Sequence, residues 1–592
     1  MKKFTLFLFV FSLCSAFFTS NVYAEDVEIN KKNFPDSEFR NYVKNNFDTN
    51  NDNILNDNEA ANVTVLPVGF TYSITSDDYG KVSVTQSNSS FPGEISDFTG
   101  IKYFVNLETF SYQNNELDEL DFSKNLELKA LFCNNTKLSD LDLEKNTKLQ
   151  YLDCSNNKIK NLDLEANKKL LYLDCSNNKI KDLDLYEVKD IKSRDVRLSG
   201  DVWVSVDVKI SGDPNPLVYL KCDQNNINAI SLIDLDKNLL WLKCDHNQIK
   251  GKFFASDSEN LLWLECDNNQ IKELDLSNKK LRYLKCDNNV MTELDAGLCR
   301  QLEKLICDNN KIKDFSLPRN NNKFVYLSCS SNDIENMDKV PNSLEYIDFS
   351  KNRIDDYYFL KKGISLKTIN SSNNKIGEVD LSALTALEVF YCDNNALPDI
   401  SFVNNPSIKT FSGLSQKVYG QKVSNSKSNK DYPYEFDFST LISRKGEVSR
   451  INDISVTRSD NSSIKSERNS DNLGTLLLAE KPAYIKYKYT PNAPFKDNYL
   501  EVTLFFEDAP KNNDYGSGND DNNGSNSGNN NNNDANNNDN SNNNNNDSNN
   551  NNDDNDEHLY YDYDGGSGGG CNSGFIPGII ALSLLGVLKK KK

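Results

Sequence analysis

Through the middle of the chain, apolar residues fall at fixed places. Written from Leu149, one unit reads Leu149-x-x-Leu152-x-Cys154-x-x-Asn157-x-Ile159-x-x-Leu162-Asp163-Leu164. Similar units begin at Leu107, Leu128, Leu170, Leu217, Leu239, Leu261, Leu281, Leu302, Phe324, Leu344, Leu366 and Leu387. Leu152 and Cys154 alternate with residues of the opposite face, and that period of two marks a short strand with one side buried. The cysteines Cys133, Cys154, Cys175, Cys222, Cys244, Cys266, Cys286, Cys307, Cys329 and Cys392 repeat the register, with most gaps between 20 and 22 residues. A unit this short cannot bury its apolar side alone, so each is expected to add one strand to a stacked parallel sheet. The return segment has room for extended chain or one tight helical turn. The Asn that follows each strand is expected to turn the chain and to bond adjacent backbone.

The pattern is the leucine-rich-repeat consensus. The phrase Ile95-Ser-Asp-Phe98-Thr-Gly100-Ile101-Lys-Tyr103-Phe104 resembles the first repeat of bacterial surface proteins of that kind, and from Ile95 to about Leu414 the chain resembles internalin-like adhesins. The resemblance implies a binding protein whose concave face grips an extracellular protein or glycan. The expected fold is a β-rich leucine-rich-repeat solenoid, a curved parallel sheet spanning 95–414. Between Cys175 and Cys222 lies an insertion, 186–216, in which Val202, Val204, Val206, Val208 and Ile210 alternate with polar residues as in a β-hairpin or a degenerate repeat.

The flanks read differently. Met1 to Ala24 carries Lys2, Lys3, an apolar run from Phe4 to Phe18 and the cleavage phrase Val22-Tyr23-Ala24, a secretory signal peptide of residues 1–24. Segment 25–66 begins with a helix, started by Pro35 and Asp36, whose Phe39, Tyr42, Val43 and Phe47 make one apolar face. An EF-hand-like loop follows, 48–59, matching the calcium template. Asp48, Asn50, Asp52 and Glu59 would be side-chain ligands, Ile54 would offer its carbonyl, and Asn53 stands where the template has glycine. The alternative is an Asn/Asp-rich surface loop. Residues 67–94 read as an irregular insertion, in which Tyr79 to Val84 has strand character without a turn pair to fix it. Residues 415–509 hold alternating strands that suggest a β-sandwich-like domain. Residues 510–564, rich in Asn and Asp, cannot bury a core and read as a disordered linker. In 565–592 the phrase Gly568-Gly-Gly570-Cys571-Asn-Ser-Gly574, the apolar run Phe575–Leu588 and Lys589 to Lys592 resemble a Synerg-CTERM sorting signal. That resemblance implies processing near Cys571 and attachment of an exported chain to the bacterial cell surface or envelope. The apolar run is shorter than the about 20 residues an independent membrane span needs.

Composition narrows the chemistry. Lys and Arg total 67 against 87 Asp and Glu, so no basic surface for nucleic acid is expected. Two histidines, His246 and His558, leave little for imidazole catalysis, and His246 occupies a turn position where other units have Asn. No catalytic constellation is evident, so an enzyme is not expected. The repeat cysteines point inward together, and Phe349 and Ser371 replace them without compensation, so they read as reduced core filler.

Candidate chemistry therefore moves to the outward positions. Tyr151, Tyr172, Tyr219, Trp241, Trp263, Tyr283, Lys304, Tyr326 and Tyr346 form one row, and Asp223, Asp245, Asp267, Asp287 and Asp308 another. Aromatic faces beside carboxylates suit sugar rings or extended peptides. Against this stands the reading that in-register rings only stabilise one another. A structural spacer or surface-layer component without a dedicated ligand is the second functional reading.

Overall fold

The computed structural model describes residues 26–507 except 77–81, 88, 118, 182, 185–195, 198–202, 205–216, 231–238, 278, 427–429, 443–446, 471 and 492–497. The expected signal peptide with Ala24, the linker, the C-terminal signal with Cys571 and most of the insertion 186–216 lie outside those residues. Within that insertion, Val196–Arg197 pairs antiparallel with Trp203–Val204. No helix among the described residues is long and apolar enough to cross a membrane.

The repeats build a parallel-strand solenoid of about 12 turns. Strands such as Tyr151–Asp153, Tyr172–Asp174, Tyr219–Lys221, Trp241–Lys243, Trp263–Glu265 and Tyr283–Lys285 pair in register, Leu against Leu, along one ribbon. The inward Leu and Cys of these strands are fully buried. All eleven described cysteines are buried and unpaired, and burial pushes their thiols well above the ordinary range, so they stay protonated filler. Return segments add short parallel pairs, Leu162–Asp163 with Leu183–Asp184 and Glu293–Asp295 with Asp314–Ser316.

Polar ladders close the backbone bookkeeping of each turn. The residue after each strand's Asp or Ser, as at Asn156, His246 and Asn268, takes a left-handed φ of 52 to 55°. The next Asn then turns inward. Asn157 donates to the carbonyls of Cys133 and Cys154 and accepts from the Leu138 amide at 2.9 Å. Where Thr136 replaces it, the hydroxyl still reaches the Cys133 carbonyl at 2.7 Å. A second ladder was not read from the sequence. Asn125, Asn146, Asn167 and Asn405, three residues before a repeat's first Leu or Ile, donate to carbonyls of the preceding turn. The recurring Asn-x-x-Leu is its signal.

Three boundaries move. The first rung of the ribbon is Val65–Leu66, paired parallel with Thr109–Phe110, so the sheet starts before residue 95. Residues 67–94 are not irregular throughout: Tyr72–Ser76 and Val82–Gln86 form an antiparallel hairpin. Between them stand the five residues Asp77-Asp-Tyr-Gly-Lys81, not a two-residue turn pair, so no short turn signal marks the hairpin in the sequence. At the far end strand Thr410–Gln421 is both last rung and first strand of the next sheet, and it crosses the expected boundary at 414/415. It pairs with Leu500–Phe506, and Tyr484–Tyr489 and Ile451–Thr457 continue that sheet. A second sheet, from Ser424–Asn425, Tyr434–Asp437, Thr475–Leu478 and Ser466–Arg468, packs on it through Phe436 against Phe506 and Phe438 against Tyr487. Tyr487 also donates to the Pro398 carbonyl at 2.8 Å, which ties this unit to the last turns of the solenoid.

The near end is closed by aromatic packing. Helix Ser37–Phe47 is capped by Asp36 and buries Phe39, Tyr42 and Val43, the face its spacing predicts. Phe39 packs edge-on to Phe98, and Phe34 tilts against Tyr103. Gly100 has φ +108°, and a Cβ there would lie 2.5 Å from Phe34 and 2.6 Å from the Asn33 carbonyl. Gly100→Ala is therefore expected to cost about 2–4 kcal/mol, because left-handed strain and a backbone clash add. The check is a urea midpoint, and a shift of a few tenths of a kcal/mol would contradict it.

Candidate functional site

The strand ribbon puts the predicted aromatic row in register, and the rings stack face to face. Tyr172 lies on Tyr219 with centroids 4.4 Å apart, Tyr219 on Trp241 at 4.4 Å, Trp263 on Tyr283 at 3.6 Å and Tyr326 on Tyr346 at 4.3 Å, all within 8° of parallel. Rung spacing brings these rings within stacking reach, because parallel strands lie about 4.8 Å apart. Lys304 interrupts the column, with its ammonium 5.5 Å from the Tyr283 ring and 4.5 Å from Tyr326. Burial lowers its pKa.

Stacking changes what the row offers. Tyr172, Tyr219 and Trp241 are buried, at 7%, 6% and 4% exposure, while Tyr151, Trp263, Tyr283 and Tyr326 are partly exposed. Trp241 is thus not the open apolar platform expected from sequence. Trp263 donates its indole N–H to Glu265 at 2.9 Å; in the Trp241 rung Lys243 stands at that place, and the Trp241 N–H is buried without a partner.

The hairpin supplies part of the cover. Tyr72 packs on Phe132 at 5.0 Å and on Tyr151 at 5.3 Å, Phe70 packs on Phe132, and Val84 lies against the aromatic clusters. Gln113 donates to Gln86 at 2.7 Å. The first rungs of the outward face are therefore occupied by the chain itself.

The acidic row is not a solvated stripe. Asp223, Asp245, Asp267 and Asp287 are buried, at 3%, 4%, 0% and 9% exposure. Lysines of the neighbouring row pair with them or their neighbours: Lys221 with Asp174 at 3.0 Å, Lys243 with Glu265 at 3.0 Å and Lys285 with Asp267 at 2.8 Å. Burial pushes the Asp223 and Asp287 carboxyls up to about 6, against the nearby lysines. Asp153 is likewise pushed up to about 6 by burial and by Asp174.

That displacement sets a pH dependence. A carboxyl whose folded pKa is raised from its ordinary value of 3.8 to about 6 holds its proton more tightly in the folded chain. Its contribution is therefore fully present below about pH 4 and is lost as pH rises through about 6. An Asp223→Asn, Asp287→Asn chain is expected to be about 2 kcal/mol more stable than wild type at pH 8, and no more stable at pH 4. Thermal unfolding of both chains at the two pH values, with chelator present, decides it; equal differences at both would refute the assignment.

In the loop 48–59 the backbone is held by its own Asn and Asp side chains. Asn53 takes φ +62° at the glycine position, and Asn51 takes +61°. Asp48 accepts from the amides of Asp52 and Asn53, and Asp52 accepts from Ile54. Leu55 is fully buried and pairs with Val27. Glu59, however, spends its oxygens on Thr49 and on Asn56, closing a capping box on the short helix Asp57–Ala61. A cation there would take the carboxylate from those donors.

A family profile for leucine-rich repeats, in two copies, matches residues 147–187. No curated protein matches the chain. Among solved structures, the functional domain of InlJ from Listeria monocytogenes, described as including a cysteine ladder, is similar at 20% identity. That likeness covers 82% of this chain and 99% of that one, with a TM-score of 0.53. The internalin inlF of Listeria monocytogenes gives 19% identity, 67% and 100% coverage and a TM-score of 0.45. A leucine-rich-repeat protein of Leptospira interrogans gives 19%, 55%, 86% and 0.39. The chain is thus a leucine-rich-repeat solenoid, and its fold resembles that of a Listeria internalin.

Proposed function

We propose that the chain is an exported, envelope-anchored binding protein that holds an extracellular protein against the outward, concave face of its ribbon. The observation that carries this reading is the surface left between Trp263 and Tyr346. Half-buried Trp263, Tyr283, Tyr326 and Tyr346 form a rigid aromatic floor, beside which Lys285 and Glu265 stand half-buried. Ring edges with fixed charges suit protein side chains. Sugar rings need open aromatic faces, and here those faces are spent on one another, which favours a protein over a glycan. The spacer reading rests on the same stacking.

A Trp263→Ala, Tyr283→Ala chain is the test, with wild type and variant screened against extracellular proteins and a glycan array. Protein binding weakened at least tenfold, roughly the loss of one interface hot spot, is expected. Undiminished binding, or retention of no partner by wild type, would remove the reading in favour of the spacer.

We infer that the loop 48–59 takes Ca²⁺ through Asp48, Asn50, Asp52, Glu59 and the Ile54 carbonyl. The left-handed Asn53 and the buried, paired Leu55 support it. Millimolar Ca²⁺ is expected to raise the unfolding temperature by several degrees, since saturation a hundredfold above Kd contributes about 2.7 kcal/mol. The gain should vanish in Asp48→Asn; an equal gain in both chains would rule the loop out.

A further inference from the structure

Next to the aromatic column, three groups from two adjacent rungs converge. One ligand atom each from Asp245, His246 and Asp267 lie within 4.8 Å of one another. The two carboxylates are buried, at 4% and 0% exposure, while the imidazole is about half exposed, with 55% of its side chain accessible. His246 Nδ1 is 2.8 Å from Asp245 Oδ2. Asp245 Oδ1 has Lys243 at 3.3 Å. Asp267 Oδ2 is taken by Lys285 at 2.8 Å and by Asn268 at 2.7 Å. Asp245 Oδ1 and Asp267 Oδ1 are both buried and make no hydrogen bond.

A buried carboxylate oxygen without a donor costs free energy, and here it stands one rung from a second buried carboxylate. The repeat makes the position acidic, and an unbonded carboxylate oxygen recurs with it at Asp223 and Asp287. At Asp308, by contrast, the Ser328 hydroxyl and the Ser330 amide supply the donors. Only in the Asp245 rung does an imidazole take the left-handed turn position, where Gln224, Asn268 and Asn288 stand in the neighbouring rungs.

We propose that Asp245, His246 and Asp267 form a binding site for a divalent first-row transition cation on the outward face. Two carboxylate oxygens with one imidazole nitrogen suit Mn²⁺, Co²⁺ or Zn²⁺ better than Ca²⁺ or Mg²⁺, which favour all-oxygen sets. A cation between the rungs gives Asp267 Oδ1 its missing partner and offsets two like charges. Lys243 and Lys285, whose side chains are 26% and 32% exposed, can release the carboxylates by swinging into solvent. Because His246 is on the open side, the remaining coordination positions are available to water or to an acidic side chain of a bound protein. That last step rests on the concave-face reading; the cation site itself does not.

The test is Co²⁺ titration of the untagged mature chain, read by visible d–d absorption and by quenching of tryptophan emission, since Trp241 and Trp263 lie in the same two rungs. One saturating equivalent with the spectrum of nitrogen and oxygen ligation is expected. His246→Gln, at an exposed position, should weaken it at least tenfold and shift the bands, and Asp267→Asn should abolish it with circular dichroism unchanged. Asp48→Asn should leave it intact, which separates this site from the N-terminal loop. Absence of saturable binding, thiolate charge-transfer bands, or affinity unchanged in His246→Gln would each overturn the proposal.

Discussion

Asn269→Ala is expected to lower stability by about 2–4 kcal/mol and to broaden urea unfolding or split it into two steps. Asn269 is buried and donates to the carbonyls of Cys244, Cys266 and Asp267 at 3.0 to 3.2 Å. Its own oxygen accepts the Ile249 amide at 3.0 Å. With Ala, the Cys244 and Cys266 carbonyls keep Asn247 and Asn289 as donors. The Ile249 amide is left in the core with nothing to bond, and that orphan dominates the cost. Since each turn of a solenoid is supported by its neighbours, a fault in the middle weakens the coupling between the two halves. Cys266→Ala, in the same turn, removes one sulfur from a packed core and should cost only about 1–2 kcal/mol. Measuring both midpoints tests the ranking: a cysteine variant less stable than the asparagine variant would reverse it.

Tyr72→Ala is expected to release the hairpin from the ribbon while leaving the solenoid folded. Tyr72 supplies ring contacts to Phe132 and Tyr151, and truncating a buried aromatic typically costs about 3 kcal/mol or more. Taking about 2–3 kcal/mol as the share borne by hairpin docking, the open state becomes roughly 30- to 150-fold more populated. Amide exchange reads this directly. The paired amides of Tyr72–Ser76 and Val82–Gln86 should exchange faster by that factor, with those of Trp241–Lys243 and Trp263–Glu265 unchanged. Acceleration below threefold would mean that the hairpin is held by something other than its contact with the aromatic face.

Asn269 is visible in the sequence, because the same Asn recurs after nearly every strand and its role follows from the turn it must make. Tyr72 is not, because nothing local to residues 72–86 says which surface the hairpin will cover. The acidic row shows the same divide. Asp223, Asp245, Asp267 and Asp287 were legible as a ladder, yet a residue on the outward side of a strand reads as exposed until the lysines and rings of adjacent rungs are placed around it.

What the sequence determined by itself is the rung: the alternation of Leu and Cys, the turn Asn, the parallel register and the aromatic row. These depend only on a pattern restated every 20 to 22 residues, so each unit carries its own instructions. What only the tertiary structure decided is how rungs use one another. Rung spacing turns separate Tyr and Trp into closed stacks, buries neighbouring carboxylates and brings His246 to Asp267. Contacts distant along the chain place the hairpin on the first rungs and carry Thr410–Gln421 from the last turn into the next sheet. Such contacts depend on the summed packing of many turns, which no single repeat encodes.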